Sequence, residues 1–369
     1  TLFRFTSSST TYAEIQLSSS LDLNQQSTPV SGDRPVPAIT PGNIQHIVEQ
    51  GRLGKGTVTA MAWSPDDQLL AVGGSLGVWL YGLEDLEEPL YLLEQHRLPV
   101  TSIAWSVDGT LLASGSEDSL QIWNMTSGEP VLQATSVGVQ AVAWSPHGSI
   151  LATIDNDGSI HVRDVAAQQI LFTIDEYQDA LSLSWSPFGT VIASGGNDGR
   201  IRLWDAATGR SLRVIDNNRD RAAITSIDWI PEGDLIAAGD RNGTVTLWNA
   251  SNSSLLYELE GHSAAVVDTK WSPDGTVLLT ASRDSTIVIW DAITRLPLQA
   301  LTAHTHDVVS AVWSSEGARL ISASRDGAVL LWDTASSATD TGPSMQVAQA
   351  FPRSMLFTDA ITDGDISTE

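Results

Sequence analysis

Tryptophan recurs along this chain at a nearly fixed interval, each copy closing a short apolar run. The copies are Trp63, Trp105, Trp144, Trp185, Trp229, Trp271 and Trp313, with successive spacings of 42, 39, 41, 44, 42 and 42 residues. Such a period marks one supersecondary unit, repeated, that buries its apolar face only by stacking on its neighbours. A turn follows each copy. In Ser272-Pro273-Asp274-Gly275, serine opens a type I turn, proline presets φ at the second position and glycine closes it. Ser145-Pro146-His147-Gly148 and Ser186-Pro187-Phe188-Gly189 repeat the pattern. Ser106-Val107-Asp108-Gly109 and Ser314-Ser315-Glu316-Gly317 keep the glycine without the proline. A second strand such as Leu111-Leu112-Ala113-Ser114 then leads into an Asp-Gly hairpin, as in Asn197-Asp198-Gly199 and Arg325-Asp326-Gly327.

A third strand ends in tryptophan plus Asp or Asn: Trp123-Asn124, Trp204-Asp205, Trp248-Asn249, Trp290-Asp291 and Trp332-Asp333. In units four to seven this second tryptophan lies 19 residues after the first. Unit three has Arg163-Asp164 there, and in unit one a shortened hairpin brings Trp79 only 16 residues after Trp63. Seven first-strand and six third-strand tryptophans account for all 13 in the chain, so the register extends over the whole repeat. The period predicts an all-β fold: a seven-bladed β-propeller with four-stranded antiparallel blades.

Over roughly Ile44 to Asp333 these features resemble the WD-repeat β-propeller family, with repeats of bacterial type. The resemblance implies a bracing network of a histidine before the first strand, a hydroxyl on the second, a hairpin aspartate and the third-strand tryptophan. Blade two offers His96, Ser116, Asp118 and Trp123; blade six His262, Ser282, Asp284 and Trp290; blade seven His304, Ser324, Asp326 and Trp332. Blades three, four and five lack the histidine, which puts their bracing in question. The resemblance also implies binding on the face that carries the second-to-third-strand hairpins. The residues before the hairpin Asp or Asn are expected to point outward there: Glu117, Asn156, Asn197, Arg241, Arg283 and Arg325. The three arginines form an arc suited to carboxylate or phosphate groups. The competing reading has each one paired with a neighbouring acid or simply solvated.

A propeller must be sealed where its chain ends meet. The segment beginning at Ile44 stands before Trp63 much as the outer strand Leu255–Glu260 stands before Trp271, while Asp340-Thr341-Gly342-Pro343 is turn-like where a last strand is due. Residues 44–50 are therefore predicted to form the outer strand of the last blade. This divides the chain into a Ser/Thr/Pro-rich extension (1–43), the ring (44–333) and an acidic tail (334–369). Strand-like alternation in Leu2–Phe5 and Tyr12–Leu17, and apolar runs at Met345–Ala348 and Met355–Phe357, suit either linkers or strands added to a neighbouring subunit.

The formal charge of −25 argues against nucleic acid and against anionic membranes as partners. No apolar run approaches the roughly 18 residues of a membrane span. Without cysteine, disulfides, thiolate zinc sites and cysteine nucleophiles are excluded. Enzyme-like motifs fail on context. Gly73-Gly74-Ser75-Leu76-Gly77 lacks the strand-to-helix elbow of an esterase, and Gly51-Arg52-Leu53-Gly54-Lys55-Gly56-Thr57 reads as a loop with the wrong phosphate-loop spacing. Asp155-Asn156-Asp157-Gly158 sits where every unit has a hairpin, and His304-Thr305-His306-Asp307 leaves His306 as a lone ligand. The expectation is a non-catalytic scaffold that binds other proteins, with no cofactor, metal or membrane insertion. A structural subunit of an extracytoplasmic assembly, joined to copies of itself through the terminal extensions, is the alternative; a propeller hydrolase is the third reading. A chain that begins at Thr1 and lacks cysteine leans towards an extracytoplasmic setting.

Overall fold

A computed structural model describes residues 3–5, 38–44, 47–53, 57–75, 77–83, 89–134, 138–175, 179–216 and 221–334. Among them the strands assemble into seven sheets, each a meander of three consecutive strands plus an outer one. The first, innermost strands are Val58–Trp63, Val100–Trp105, Val139–Trp144, Ala180–Trp185, Ile224–Trp229, Val266–Trp271 and Val308–Trp313. Each packs against the next around the circle, and the last packs against the first, so the ring is closed.

The turn after each tryptophan works as its residues dictate. The Ser272 hydroxyl donates to Asp274 Oδ1 at 2.6 Å and accepts the Val277 N–H at 3.1 Å. Gly275 closes the turn in the left-handed region, at φ +68°, where a side chain is strained. These turns lie on one face of the ring. The hairpins between second and third strands lie on the other, one strand length (about 20 Å) away.

Blades meet through size complementarity. The penultimate residue of the second strand is small where the next blade opens with a β-branched residue: Gly115 faces Val139, and a Cβ added to Gly115 falls 2.7 Å from Val139 Cγ1. Gly73 meets Val100, Gly195 meets Ile224 and Gly239 meets Val266 in the same way. Blade three inverts the pair, with Ile154 on the second strand and Ala180 opening blade four, both in one buried cluster. The volume is conserved while its owner changes, as close packing requires. First-strand indoles add a directional tie, donating to the backbone one blade back: Trp105 to Ala62 O (3.1 Å), Trp144 to Ala104 O (3.0 Å), Trp185 to Ala143 O (3.0 Å) and Trp313 to Lys270 O (3.1 Å).

Closure follows the expected scheme with a shifted register. The strand Ile47–Leu53 pairs antiparallel with Val329–Thr334 and completes blade seven, so the N-terminal part of the chain supplies the outer strand. It begins three residues after Ile44 because Pro41-Gly42-Asn43 forms a turn first. Asn43 Oδ1 accepts the Thr40 N–H at 2.7 Å, and Ile44 N–H bonds Thr40 O at 3.1 Å. Ile39 and Ile44 are buried instead beneath blades six and seven, beside Trp313 and Trp332. The strand also takes in Gly51–Leu53, part of the stretch read from sequence as a loop. Blade one has a short outer strand, Tyr91–Leu93, against which Phe3–Phe5 lies in parallel as a fifth strand. The other strand-like runs of both extensions lie outside the described residues.

Candidate functional site

The hairpins put six residues at one backbone position. Asn156, Asn197, Arg241, Arg283 and Arg325 each donate their N–H to the carbonyl of the residue just before their own blade's first strand, at 2.8–2.9 Å. Glu117 occupies the corresponding place in blade two. All six are exposed on the hairpin face. Asn156 reaches back to Glu117 O at 3.2 Å, tying blades two and three. Arg325 stands 3.8 Å from Asp307, a loose and open pair. The Arg241 and Arg283 side chains make no ion pair among the described residues. Two of the three arginines thus have no ion-pair partner among the described residues, and the third is held weakly.

Beneath this face the bracing network forms, with one displacement. In blade six His262 Nε2 lies 2.8 Å from Thr280 Oγ1, which also accepts Trp290 Nε1–H at 2.8 Å, while His262 Nδ1 lies 3.0 Å from Asp284 Oδ2. Blade seven repeats this with His304, Ser322, Trp332 and Asp326. In blade two His96 and Trp123 share Ser114 at 2.7 and 3.2 Å. The bridging hydroxyls are therefore Ser114, Thr280 and Ser322, two residues before the expected Ser116, Ser282 and Ser324. Both sets face the same side of the strand, because side chains alternate with period two, and only the first is level with the indole. Ser282 and Ser324 instead bond Ala264 O and His306 O, each at 2.9 Å. Ser116 touches His96 Nδ1 at 2.9 Å and donates to Asp118. Asp118 does not bond the histidine directly; burial raises its carboxyl, but Ser116, the Arg97 N–H and His96 bring it below the ordinary range. Asp284 and Asp326 are likewise held low by their donors against the effect of burial.

Blades without the loop histidine fill its place from the third strand. The residue two before the third-strand tryptophan position is Gln121, Val288 or Leu330 in the histidine-braced blades. Blade four has Arg202 there, bidentate to the hairpin aspartate Asp198 at 3.0 and 2.6 Å, while Trp204 donates to Ser194 at 2.9 Å. Blade three has His161, 2.9 Å from Asp155. Blade five has Thr246, which accepts Trp248 Nε1–H at 2.9 Å. Blade one has Trp79: it pairs with Val72, whereas Tyr81 pairs with Leu70 and so occupies the register of the other blades' tryptophans. Trp79 thus stands two residues before the position its motif suggests.

Burial lowers His96 from 6.5 to about 4, opposed by Asp118. With its folded value depressed, the histidine contributes stability that is whole above pH 6.5 and lost as pH falls towards about 4. Acid is expected to loosen blade two accordingly. In melting curves between pH 7 and pH 4, H96Q should show a flatter decline than the parent chain; parallel declines would remove His96 as the cause.

A charged cluster that the motifs did not reveal lies where the inner strands of blades five, six and seven meet. Asp228, just before Trp229, accepts the Trp271 N–H at 3.0 Å, and Asp268 accepts the Ala311 N–H at 2.9 Å. Lys270, just before Trp271, lies in the field of both. Burial pushes both carboxyls up while Lys270 pulls them down, and both end above their ordinary range. Burial alone would lower Lys270; Asp228 and Asp268 overcome it and hold the ammonium high. The equivalent residues are Ala62, Ala104, Ala143, Ser184 and Val312 elsewhere in the ring, so the charge is confined to one sector. Each carboxylate staples one blade to the next. Among the described residues no three His, Asp or Glu side chains converge as a metal site would require, and no helix is long and apolar enough to cross a membrane.

Comparison with known families agrees with this geometry. The family described as the IFT122 first beta-propeller matches residues 57–291, more than half of the chain, and the WD domain, G-beta repeat matches residues 295–333. No curated protein matched. By its tryptophan register, its bracing network and these matches, the chain belongs to the WD-repeat β-propellers, in the family of the IFT122 first beta-propeller.

Proposed function

We propose that this protein is a non-catalytic interaction scaffold whose hairpin face, at blades five to seven, docks an acidic protein segment. The WD-repeat fold is consistent with protein binding in general. The observation that carries the finer reading is the arc of Arg241, Arg283 and Arg325 at one backbone position, exposed, on a chain of formal charge −25. In a strongly acidic protein, a cluster of exposed arginines is the place where a partner's carboxylates find opposite charge and bidentate geometry. Hairpin backbones tied to the residue before each first strand hold the points from which the three side chains spring at fixed separation, which favours a partner of matching spacing.

The triple variant R241A/R283A/R325A is expected to lose about tenfold or more in affinity for an acidic peptide, equivalent to roughly 1.4 kcal/mol. Its melting temperature should stay unchanged, because exposed side chains away from packing contribute little to stability. Calorimetric titration of a poly-glutamate peptide at two salt concentrations reads both affinity and its electrostatic origin. Equal binding by parent and variant retires the arc. A second reading, strand donation by the terminal extensions, draws on Phe3–Phe5 lying along the edge of blade one.

A further inference from the structure

We propose that the outer edge of blade three is a self-association surface, on which Gln169–Ile174 pairs antiparallel with the same strand of a second copy. This goes beyond the scaffold reading and uses a different surface, the rim rather than the hairpin face.

An outer strand exposes a row of unpaired backbone groups, and stable proteins blunt such edges with proline, charge, bulges or a covering segment. In blades two to six every outer strand carries a bulge opposite the end of the third strand, at Val131, Leu171, Leu212, Leu256 and Leu298. Among the described residues, all but one of the ring's outer strands have a further protection. Tyr91–Leu93 is covered by Phe3–Phe5. Pro130–Ala134 and Pro297–Leu301 open with proline. Ser211–Asp216 contains Arg213 and Asp216, Leu255–Glu260 contains Glu258 and Glu260, and Ile47–Leu53 contains Glu49 and Arg52. Gln169–Ile174 reads Gln-Ile-Leu-Phe-Thr-Ile, with no proline, glycine or charge.

Its side chains add to the exposure. Ile170 and Leu171 are 48% and 46% exposed, so the edge is apolar at and just before the bulge. Beyond the bulge, Phe172, Thr173 and Ile174 keep regular register with the third strand and present a straight edge. A six-residue segment of high β-propensity without charge is the kind that pairs with itself.

The occupant follows from charge. Two chains each of formal charge −25 repel over most of their surfaces. An uncharged strand set antiparallel to its own copy opposes no like charges, and a two-fold axis makes the contact self-complementary and closed. An outer strand does accept a further strand from a distant part of the chain, as Phe3–Phe5 on blade one demonstrates. A continuous sheet of two blades would then run across the dimer.

Sedimentation velocity of the full chain over a micromolar concentration series is the test. The parent chain should pass from monomer to dimer as concentration rises. L171K places an ammonium on the edge and should weaken the dimer by about tenfold or more. Q169K, at the exposed start of the same strand, should do likewise, which guards against a local fault in the first variant. L212K, on the next blade, should leave dimerisation unchanged, as should the triple arginine variant that tests the hairpin face. A parent chain that stays monomeric throughout overturns the proposal. So does a dimer indifferent to both L171K and Q169K, or one weakened equally by L212K.

Discussion

Removing residues 1–53 is expected to lower the melting temperature by about 10 °C or more, the largest effect of any change considered for this protein. The truncation strips the outer strand from blade seven and leaves Val329–Thr334 with a bare edge. It also withdraws Ile39 and Ile44, which are 1% and 2% exposed, from the core beneath blades six and seven. Burying two such side chains contributes roughly 3–6 kcal/mol, before the backbone bonds of the lost strand are considered. For a domain of this size each kcal/mol corresponds to roughly 2–4 °C or somewhat less. A synthetic peptide of residues 38–53 added in trans should recover part of the loss, because it binds only the ring that offers the vacant edge. Calorimetry of the truncated chain with and without peptide checks both points. An unaltered melt on truncation would mean that blade seven is sealed some other way.

The second large effect is expected from Lys270. In K270M the shape of the side chain is roughly kept while the positive charge between Asp228 and Asp268 disappears. Breaking a buried charge arrangement by removing one partner typically costs about 3–5 kcal/mol, since the remaining charges lose their compensation. Here two carboxylates are left, both already raised by burial and no longer drawn down by the ammonium. The sign with pH is then fixed. A carboxyl whose folded value lies above its unfolded value stabilises at low pH and loses that contribution as pH rises through the folded value. K270M should therefore be closest to the parent in acid and fall away from it towards neutral pH. The parent, whose Lys270 is held above its ordinary value, should keep the lysine's contribution until the solution is strongly alkaline. The triple variant D228N/K270M/D268N should recover much of the stability at neutral pH, because no unpaired charge remains. Denaturant melts of the three proteins at pH 5 and pH 8 separate these outcomes; a K270M deficit that does not change with pH would exclude the electrostatic cause.

How much of this was legible depended on how local each signal is. The turn at Ser145–Gly148 and the mostly apolar run before it are written in consecutive residues, so the strands could be placed from sequence, and the repeat of Trp144 and its counterparts then supplied the ring. The closing strand was visible as a displaced copy of an outer strand. Its start was misplaced by three residues because the Pro41-Gly42-Asn43 turn claims Ile44 for the core rather than for the sheet. Ser114 and Ser116 could not be told apart, since both point to the same side of one strand and only the height of the Trp123 ring selects between them. Trp79 and Tyr81 pose the same difficulty on the third strand. The substitutes for the missing histidines, His161, Arg202 and Thr246, were hidden for a different reason: each lies on a third strand while the residue it replaces belongs to the loop before the first, so no spacing rule connects them. Asp228 and Asp268 were overlooked because a carboxylate has meaning here only through the N–H of the next blade, more than 40 residues along the chain. A faint cue existed in Asp268-Thr269-Lys270, three polar residues where the other inner strands are mostly apolar, one of them among only two lysines in the chain. Arg241, Arg283 and Arg325 lie exposed at the hairpin, at a fixed offset from its Asp or Asn that is visible in consecutive residues.

The strand that closes blade seven also sets a timetable. Ile47 and Thr334 sit opposite each other in the finished sheet, yet the ribosome makes one roughly 290 residues before the other, which at about 5–20 residues per second is an interval of roughly 15–60 s. Through that interval six blades can take shape on the emerging chain while the seventh waits for its last meander. The early segment, written first and used last, must be kept from pairing with any edge that appears sooner. A nascent ring of this design therefore stays open until Val329–Thr334 has been made, and its closure is the last step in assembling the blades.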